Sequence, residues 1–154
     1  MKRQVMVRRA EPADAGVIAE FNLRMAEETE NRQLDPAVLG RGVASALRDP
    51  ALGFYLVAES GGTVVGSLMV TTEWSDWRSG TFWWIQSVYV MPGHRRRGVF
   101  RALHEEVRQR AGRSATPVCG IRLYVARNNV TAQKTYAGLG MAETAYKIFE
   151  EELS

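Results

Sequence analysis

The chain has 154 residues, 45% apolar, 24% charged and 9% aromatic, about one domain's worth, which excludes disordered, collagen-like and fibrous classes. No apolar run approaches the ~18 residues of a membrane span, and Met1–Arg9 lacks the apolar core of a signal peptide, so a cytoplasmic location without membrane contact is expected. Net charge is +3, yet residues 91–113 alone hold seven arginines against Glu105 and Glu106, a local +5 that points to an anionic partner at one place.

Gln4–Arg9 alternates weakly and opens the chain as a short strand. Glu11-Pro12-Ala13-Asp14 reads as a helix start, with proline in the first turn and acids near the positive end of the dipole. Val17, Ile18, Phe21 and Met25 follow at helical spacing, leaving Glu27-Glu28-Thr29-Glu30 as the segment after that helix. A second helix begins at Asp35-Pro36 and carries Val38, Leu39, Val43, Ala46 and Leu47 on one stripe. Phe54–Glu59 and Thr63–Thr72 are β-rich runs split by Ser60-Gly61-Gly62, a hairpin signal. The glycines of 61–66 lack dinucleotide-fingerprint spacing and lead into no helix, so that reading is rejected.

Thr81–Met91 is nearly continuous apolar and aromatic, as suits a central strand covered on both faces. A third helix is expected from about Arg97 to Arg113, with Val99, Leu103 and Val107 inward. Pro117–Ala126 reads as a strand, Asn129–Gly138 as a short helix, and Met141–Phe149 as the last strand before the solvated Glu150-Glu151-Glu152. Residues 1–154 thus read as a single α/β (α+β) domain with a mixed, mostly antiparallel sheet. The lone cysteine, Cys119, excludes an internal disulfide framework and is expected in the core. His94 and His104 have no neighbouring ligand set, so no metal site is expected; neither a P-loop nor a Gly-x-Ser-x-Gly elbow occurs.

The most informative segment runs from Ile85 to Leu103. A buried strand ends at Pro92, Arg95-Arg96-Arg97 form a turn, and Gly98 precedes an amphipathic helix. A helix N-terminus presents unpaired N–H groups and partial positive charge, and arginines around it make a cradle for a diphosphate. Gly98, without a Cβ, lets a phosphate approach the backbone.

This segment resembles the acyl-CoA-binding motif of the GNAT superfamily of N-acetyltransferases, Arg/Gln-x-x-Gly-x-Gly/Ala, filled here by Arg95, Arg96, Arg97, Gly98, Val99 and Phe100. The final small residue is replaced by Phe100. A second motif of that family, Asn-x-x-Ala-x-x-x-Tyr with a following Gly-hydrophobe pair, is matched by Asn129, Ala132, Tyr136 and Gly140-Met141. The element order agrees across essentially the whole chain. The resemblance implies about six strands flanked by four helices and acetyl-CoA as co-substrate. It implies that the backbone of Val88, Tyr89 and Val90 receives the pantetheine arm, and that residues 95–101, including Val99, Phe100 and Arg101, hold the diphosphate. Asn129 would bond the pantetheine and Tyr136 would act as general acid at the sulfur. Attack would be direct, in a ternary complex.

The chemistry sets its own requirements. An amine of pKa ~10.4 must lose a proton, at ~4.6 kcal/mol at pH 7, and a tyrosine of pKa ~10 must protonate a thiolate of pKa ~8.5, uphill by about 2 kcal/mol. The backbone N–H near Val88 is the expected oxyanion donor. Many relatives place a carboxylate on the central strand, where this sequence has Gln86 and Ser87, so a water held there is one route for the proton. Glu28, Glu30, Glu73 and Asp76 are the candidate acids, and with Trp74 and Trp77 they suit a small cationic amine. The acidic, tryptophan-bearing loop is similar to that of diamine acetyltransferases. A peptide acceptor, with Trp74 and Trp77 as a lid, a non-catalytic acyl-CoA-binding module, and nucleic-acid binding through the arginines are the alternatives. Of these, nucleic acid is not the expected partner, and exposed tryptophans are compatible with a homodimer.

Overall fold

The structure, a computed structural model, describes residues 4–153; Met1–Arg3, the start of the N-terminal stretch considered above, lie outside them. The chain forms two compact units, Met1–Tyr124 and Val125–Ser154.

The first unit is built on a five-stranded sheet in the order β1-β2-β3-β4-β5, with β1 Val5–Arg9, β2 Phe54–Ser60, β3 Thr63–Ser75, β4 Gly80–Val90 and β5 Val118–Arg122. The first four pair antiparallel, and β5 joins β4 in parallel. Side-chain alternation along each strand divides the core in two. Leu56, Ala58, Leu68, Val70, Trp83 and Ile85 pack against Val99, Leu103 and Val107 of α3 (Val99–Gly112). Tyr55 and Val57, on the opposite face, pack against Ile18 of α1 (Ala15–Glu30) and Val43 and Ala46 of α2 (Pro36–Arg48). Each such fully buried side chain contributes roughly 1.5–3 kcal/mol, enough for two thin cores to hold the sheet between its helices.

Local signals set the helix ends. Asp14 accepts two hydrogen bonds from Arg8 at 2.8 and 2.9 Å and one from the Glu11 N–H at 2.7 Å, tying β1 to the entry of α1. Asp35 caps α2 through the Ala37 N–H at 2.9 Å. Helix α1 runs through Glu30, further than its apolar spacing indicates, because the turn of helix carrying the acids is solvent-facing and has no hydrophobic periodicity to read. It stops at Asn31, which is left-handed (φ 48°) and returns its N–H to Ala26 and Glu27.

In the second unit α4 (Val130–Gly138) is capped by Asn129, whose side chain accepts the Ala132 N–H at 3.2 Å. Gln133 donates to the carbonyls of Ala126 and Arg127, closing the turn before the helix. Two expectations are corrected. Met141–Phe149 is not a strand, and the sheet has five strands rather than about six: among the described residues β5 pairs only with β4, and a strand without a ladder partner does not form. Cys119 is exposed, not in the core: it lies on β5, an edge strand among the described residues, at the shift in register between the Thr81–Val118 and Phe82–Gly120 pairs.

Candidate functional site

Strands β4 and β5 pair only between Thr81–Trp84 and Val118–Arg122. Beyond Trp84, β4 runs on to Val90 with no strand beside that edge among the described residues, so a length of its backbone is left outside any ladder on that side. The paired part is kept tight by Gly120: a Cβ there would stand 2.7 Å from Cε1 of Phe82. The Phe82 ring also lies under the guanidinium of Arg122, 3.5 Å from its centroid, and near that of Arg78 at 5.0 Å.

Within the open stretch the register slips. Ser67 pairs with Tyr89 but Met69 with Gln86, so Ser87 and Val88 together oppose Leu68 alone. This β-bulge is taken up by Ser87 at φ 53°, an uncommon conformation for a residue with a Cβ. The extra residue resets the alternation, so Gln86 and Tyr89, three apart, both face α1. There the Gln86 amide donates to the Thr71 hydroxyl, and the Tyr89 ring meets Phe21 at 5.1 Å.

After β4, Pro92–His94 form a single 3-10 turn, Arg95 is extended, and the backbone then turns left-handed at Arg96 (φ 63°) and again at Gly98 (φ 82°). Left-handed residues alternating with right-handed or extended ones turn successive N–H groups toward one side, an anion-binding concavity that leads into the first turn of α3. Only open space lies where a Gly98 Cβ would stand, room for an approaching phosphate. Arg96, Arg97 and Arg101 are exposed around this turn, and among the described residues they form no ion pair. Arg95 is different. Its Nε donates to the Val90 carbonyl at 2.8 Å, its Nη2 meets Glu28 at 2.7 Å, and its guanidinium lies 5.3 Å from the Tyr89 ring centroid. Val99 is buried in the core, and the Phe100 ring lies one turn along α3 beside buried His104, at 6.1 Å.

The structure does not gather the candidate acceptor residues into one acidic wall. Glu28 accepts from Arg95 and, at 2.9 Å, from the Tyr89 hydroxyl; the Arg95 hydrogen bond holds its carboxyl below the usual carboxylate range. Glu73 is paired with Arg122 at 3.1 Å. Asp76 accepts the Trp77 N–H at 2.9 Å inside the hairpin turn, and Glu30 is exposed on the last turn of α1. Trp74 and Trp77 stand at the end of the β3–β4 hairpin, 61% and 88% exposed. The sequence reasoning missed the carboxylate–phenol–guanidinium contact of Glu28, Tyr89 and Arg95, since its partners lie up to 67 positions apart.

In the second unit, Asn129 and Tyr136 are seven residues apart on one short helix, close to two turns, and so share a side of α4. Burial pushes the Tyr136 phenol above its ordinary value.

Comparison with known proteins follows the same lines. Residues 18–141 match the acetyltransferase (GNAT) family. No curated protein matches the sequence significantly. Among solved structures, a possible acetyltransferase from Clostridium difficile 630 is 41% identical, with a TM-score of 0.89 over 97% of this chain and 98% of that one. An aminoglycoside N-acetyltransferase in complex with CoA is 15% identical, with a TM-score of 0.80 over 100% of this chain and 98% of its own. A predicted acetyltransferase from Clostridium acetobutylicum with acetyl-CoA is also 15% identical, with a TM-score of 0.77 over 96% of each chain. The last two likenesses show a shared fold. With the open β4 edge, the arginine turn that leads through Gly98 into α3 and a family match over most of its length, the chain belongs to the GNAT acetyltransferase family.

Proposed function

We propose that the protein is an acetyl-CoA-dependent N-acetyltransferase that moves an acetyl group to a primary amine by direct attack in a ternary complex. The observation that carries this reading is the bulged, unpaired β4 edge running into a left-handed turn with three uncommitted arginines. An extended amide-bearing arm suits that edge, and a diphosphate suits that turn.

Acetyl-CoA supplies an activated acetyl group as a thioester. The backbone N–H of Val88, at the bulge, is the proposed donor to the carbonyl oxygen as negative charge develops there. Tyr136 is the proposed acid for the departing sulfur, and Asn129, on the same side of α4, the proposed partner of the pantetheine amide. A phenol raised by burial keeps its proton across the neutral range, as a donor must, while the transfer becomes more uphill than for an ordinary tyrosine. Gln86 and the Thr71 hydroxyl it bonds form a polar pair on the α1 face, suited to holding the water that takes the amine's proton.

The acceptor we propose is a small cationic amine. Glu28 and Glu73 are already neutralised by arginines, so recognition of its charge falls to Glu30 and Asp76 with the faces of Trp74 and Trp77. The test is thiol release from acetyl-CoA against a panel of diamines, amino acids and aminoglycosides beside short peptides. Turnover confined to peptides would overturn the small-molecule acceptor. Saturable coenzyme A binding with no turnover on any amine would leave only a binding module. Tyr136→Phe is expected to lower kcat; an unchanged kcat removes the acid role.

A further inference from the structure

Arg95 holds the first position of the diphosphate motif, yet its side chain is committed elsewhere. The chain reaches back along β4, so that Nε bonds the Val90 carbonyl five residues earlier and Nη2 pairs with Glu28 at 2.7 Å. The guanidinium sits over the ring of Tyr89, a side chain only 4% exposed, whose hydroxyl donates to the other oxygen of the same carboxylate. Glu28 is thereby held at both oxygens by two different residues. It sits on the last turn of α1, just before the left-handed stop at Asn31. The next residue after Arg95 is Arg96 at φ 63°, the first left-handed residue of the turn.

We propose that Arg95 is a positioning residue, not a diphosphate ligand: with Glu28 and Tyr89 it fastens the end of α1 to the end of β4 and fixes the backbone from which the turn at 96–98 presents its N–H groups. This rests on the acyl-CoA reading above and adds to it a division of labour among the arginines. Arg96, Arg97 and Arg101 are exposed, form no ion pair among the described residues, and supply charge. Arg95 supplies shape, because a guanidinium locked by a carbonyl, a carboxylate and a ring determines where its own Cα can be. The bulge is part of the device: were Ser87 a regular strand residue, alternation from Ile85 would put Tyr89 on the α3 face and its hydroxyl would not meet Glu28.

The two roles predict opposite behaviour when Glu28 is changed. Coenzyme A binding is measured by calorimetry, and KM and kcat with acetyl-CoA, for the wild-type chain, Glu28→Gln, Arg95→Gln, Arg95→Lys and the double variant E28Q/R95Q. Loss of preorganisation is expected to weaken coenzyme A about tenfold in each single variant, with KM raised and kcat nearly unchanged, and the double variant no weaker than either. Arg95→Lys, which keeps the charge but not the fork, is expected to behave like Arg95→Gln. A directly bound Arg95 gives the reverse: Glu28→Gln frees the guanidinium and leaves affinity equal or tighter, Arg95→Lys restores it, and the pair is additive. That pattern overturns the proposal alone, whereas a wild-type chain that does not bind coenzyme A overturns the acyl-CoA reading and this inference with it. Variants that lose kcat and KM together with thermal stability would mark the contact as a fold element only, and also overturn it.

Discussion

Ser87 is the residue on which the shape of the β4 edge turns, and a pair of substitutions there tests it. A Cβ-bearing residue at φ 53° costs roughly 1–2 kcal/mol relative to the ordinary regions, a penalty glycine does not have. Glycine loses some of that advantage through the greater freedom of its unfolded chain, about 0.5–1 kcal/mol in a strand. Ser87→Gly is therefore expected to be more stable than the wild type by roughly 0.5–1 kcal/mol. Ser87→Val puts a β-branched side chain where it fits worst and is expected to lose a further ~1–2 kcal/mol. The two variants should differ by about 2 kcal/mol, which for a chain of this size separates their Tm values by roughly 4–8 °C. Thermal melts read that difference directly. Coenzyme A titration gives the functional half: the glycine variant, with the bulge intact, binds as the wild type does, while a valine variant that relaxes to a regular strand inverts Tyr89 and loses affinity. If valine is tolerated as well as serine and glycine is the less stable of the two, the left-handed bulge and the argument built on it are wrong.

Three further outcomes follow from particular contacts. Gly120→Ala drives a Cβ to 2.7 Å from the Phe82 ring and is expected to destabilise the chain by about 1–3 kcal/mol, with partial recovery on adding Phe82→Leu; an unchanged Tm rejects the close approach. Because burial raises Tyr136, kcat/KM should climb with pH as the acceptor amine loses its proton and show no descending limb below pH ~10; a fall centred near pH 8 would exclude this phenol as the acid. Asp14 is held below its ordinary value chiefly by the hydrogen bond from Arg8, so its stabilisation is complete above about pH 4 and is lost as pH falls through the lower folded value. Asp14→Asn should accordingly cost about 1–3 kcal/mol at neutral pH and flatten the acid side of the stability profile, and melts between pH 3 and 7 in which the two chains run parallel would refute the linkage.

Much of the architecture was legible because its signals are local. Asp35 before Pro36, the glycine pair between β2 and β3, and the apolar stripes of α1, α2 and α3 each report within one or two turns of chain. The arginine turn and Gly98 were legible for the same reason, as a compact motif at a strand–helix junction. What could not be read is register. A period-two pattern carries no mark of the extra residue at Ser87, so the inversion of Tyr89 toward Phe21 and Glu28 had no signal. The pairing of Glu28 with Arg95 and of Glu73 with Arg122 likewise depends on which elements meet. Taken from sequence, these glutamates look like free charges awaiting a cation. The strand expected at 141–149 failed from the opposite cause: its residues favour extended backbone, but preference does not provide a ladder.

The exposure of Cys119 has a practical side. A disulfide reagent used to follow liberated coenzyme A will also titrate this thiol, adding one stoichiometric equivalent per chain that does not depend on acceptor. Cys119→Ser removes that baseline, and the same solitary sulfur, left in place, accepts a single maleimide dye on β5, a ready-made reporter on the strand that pairs with β4.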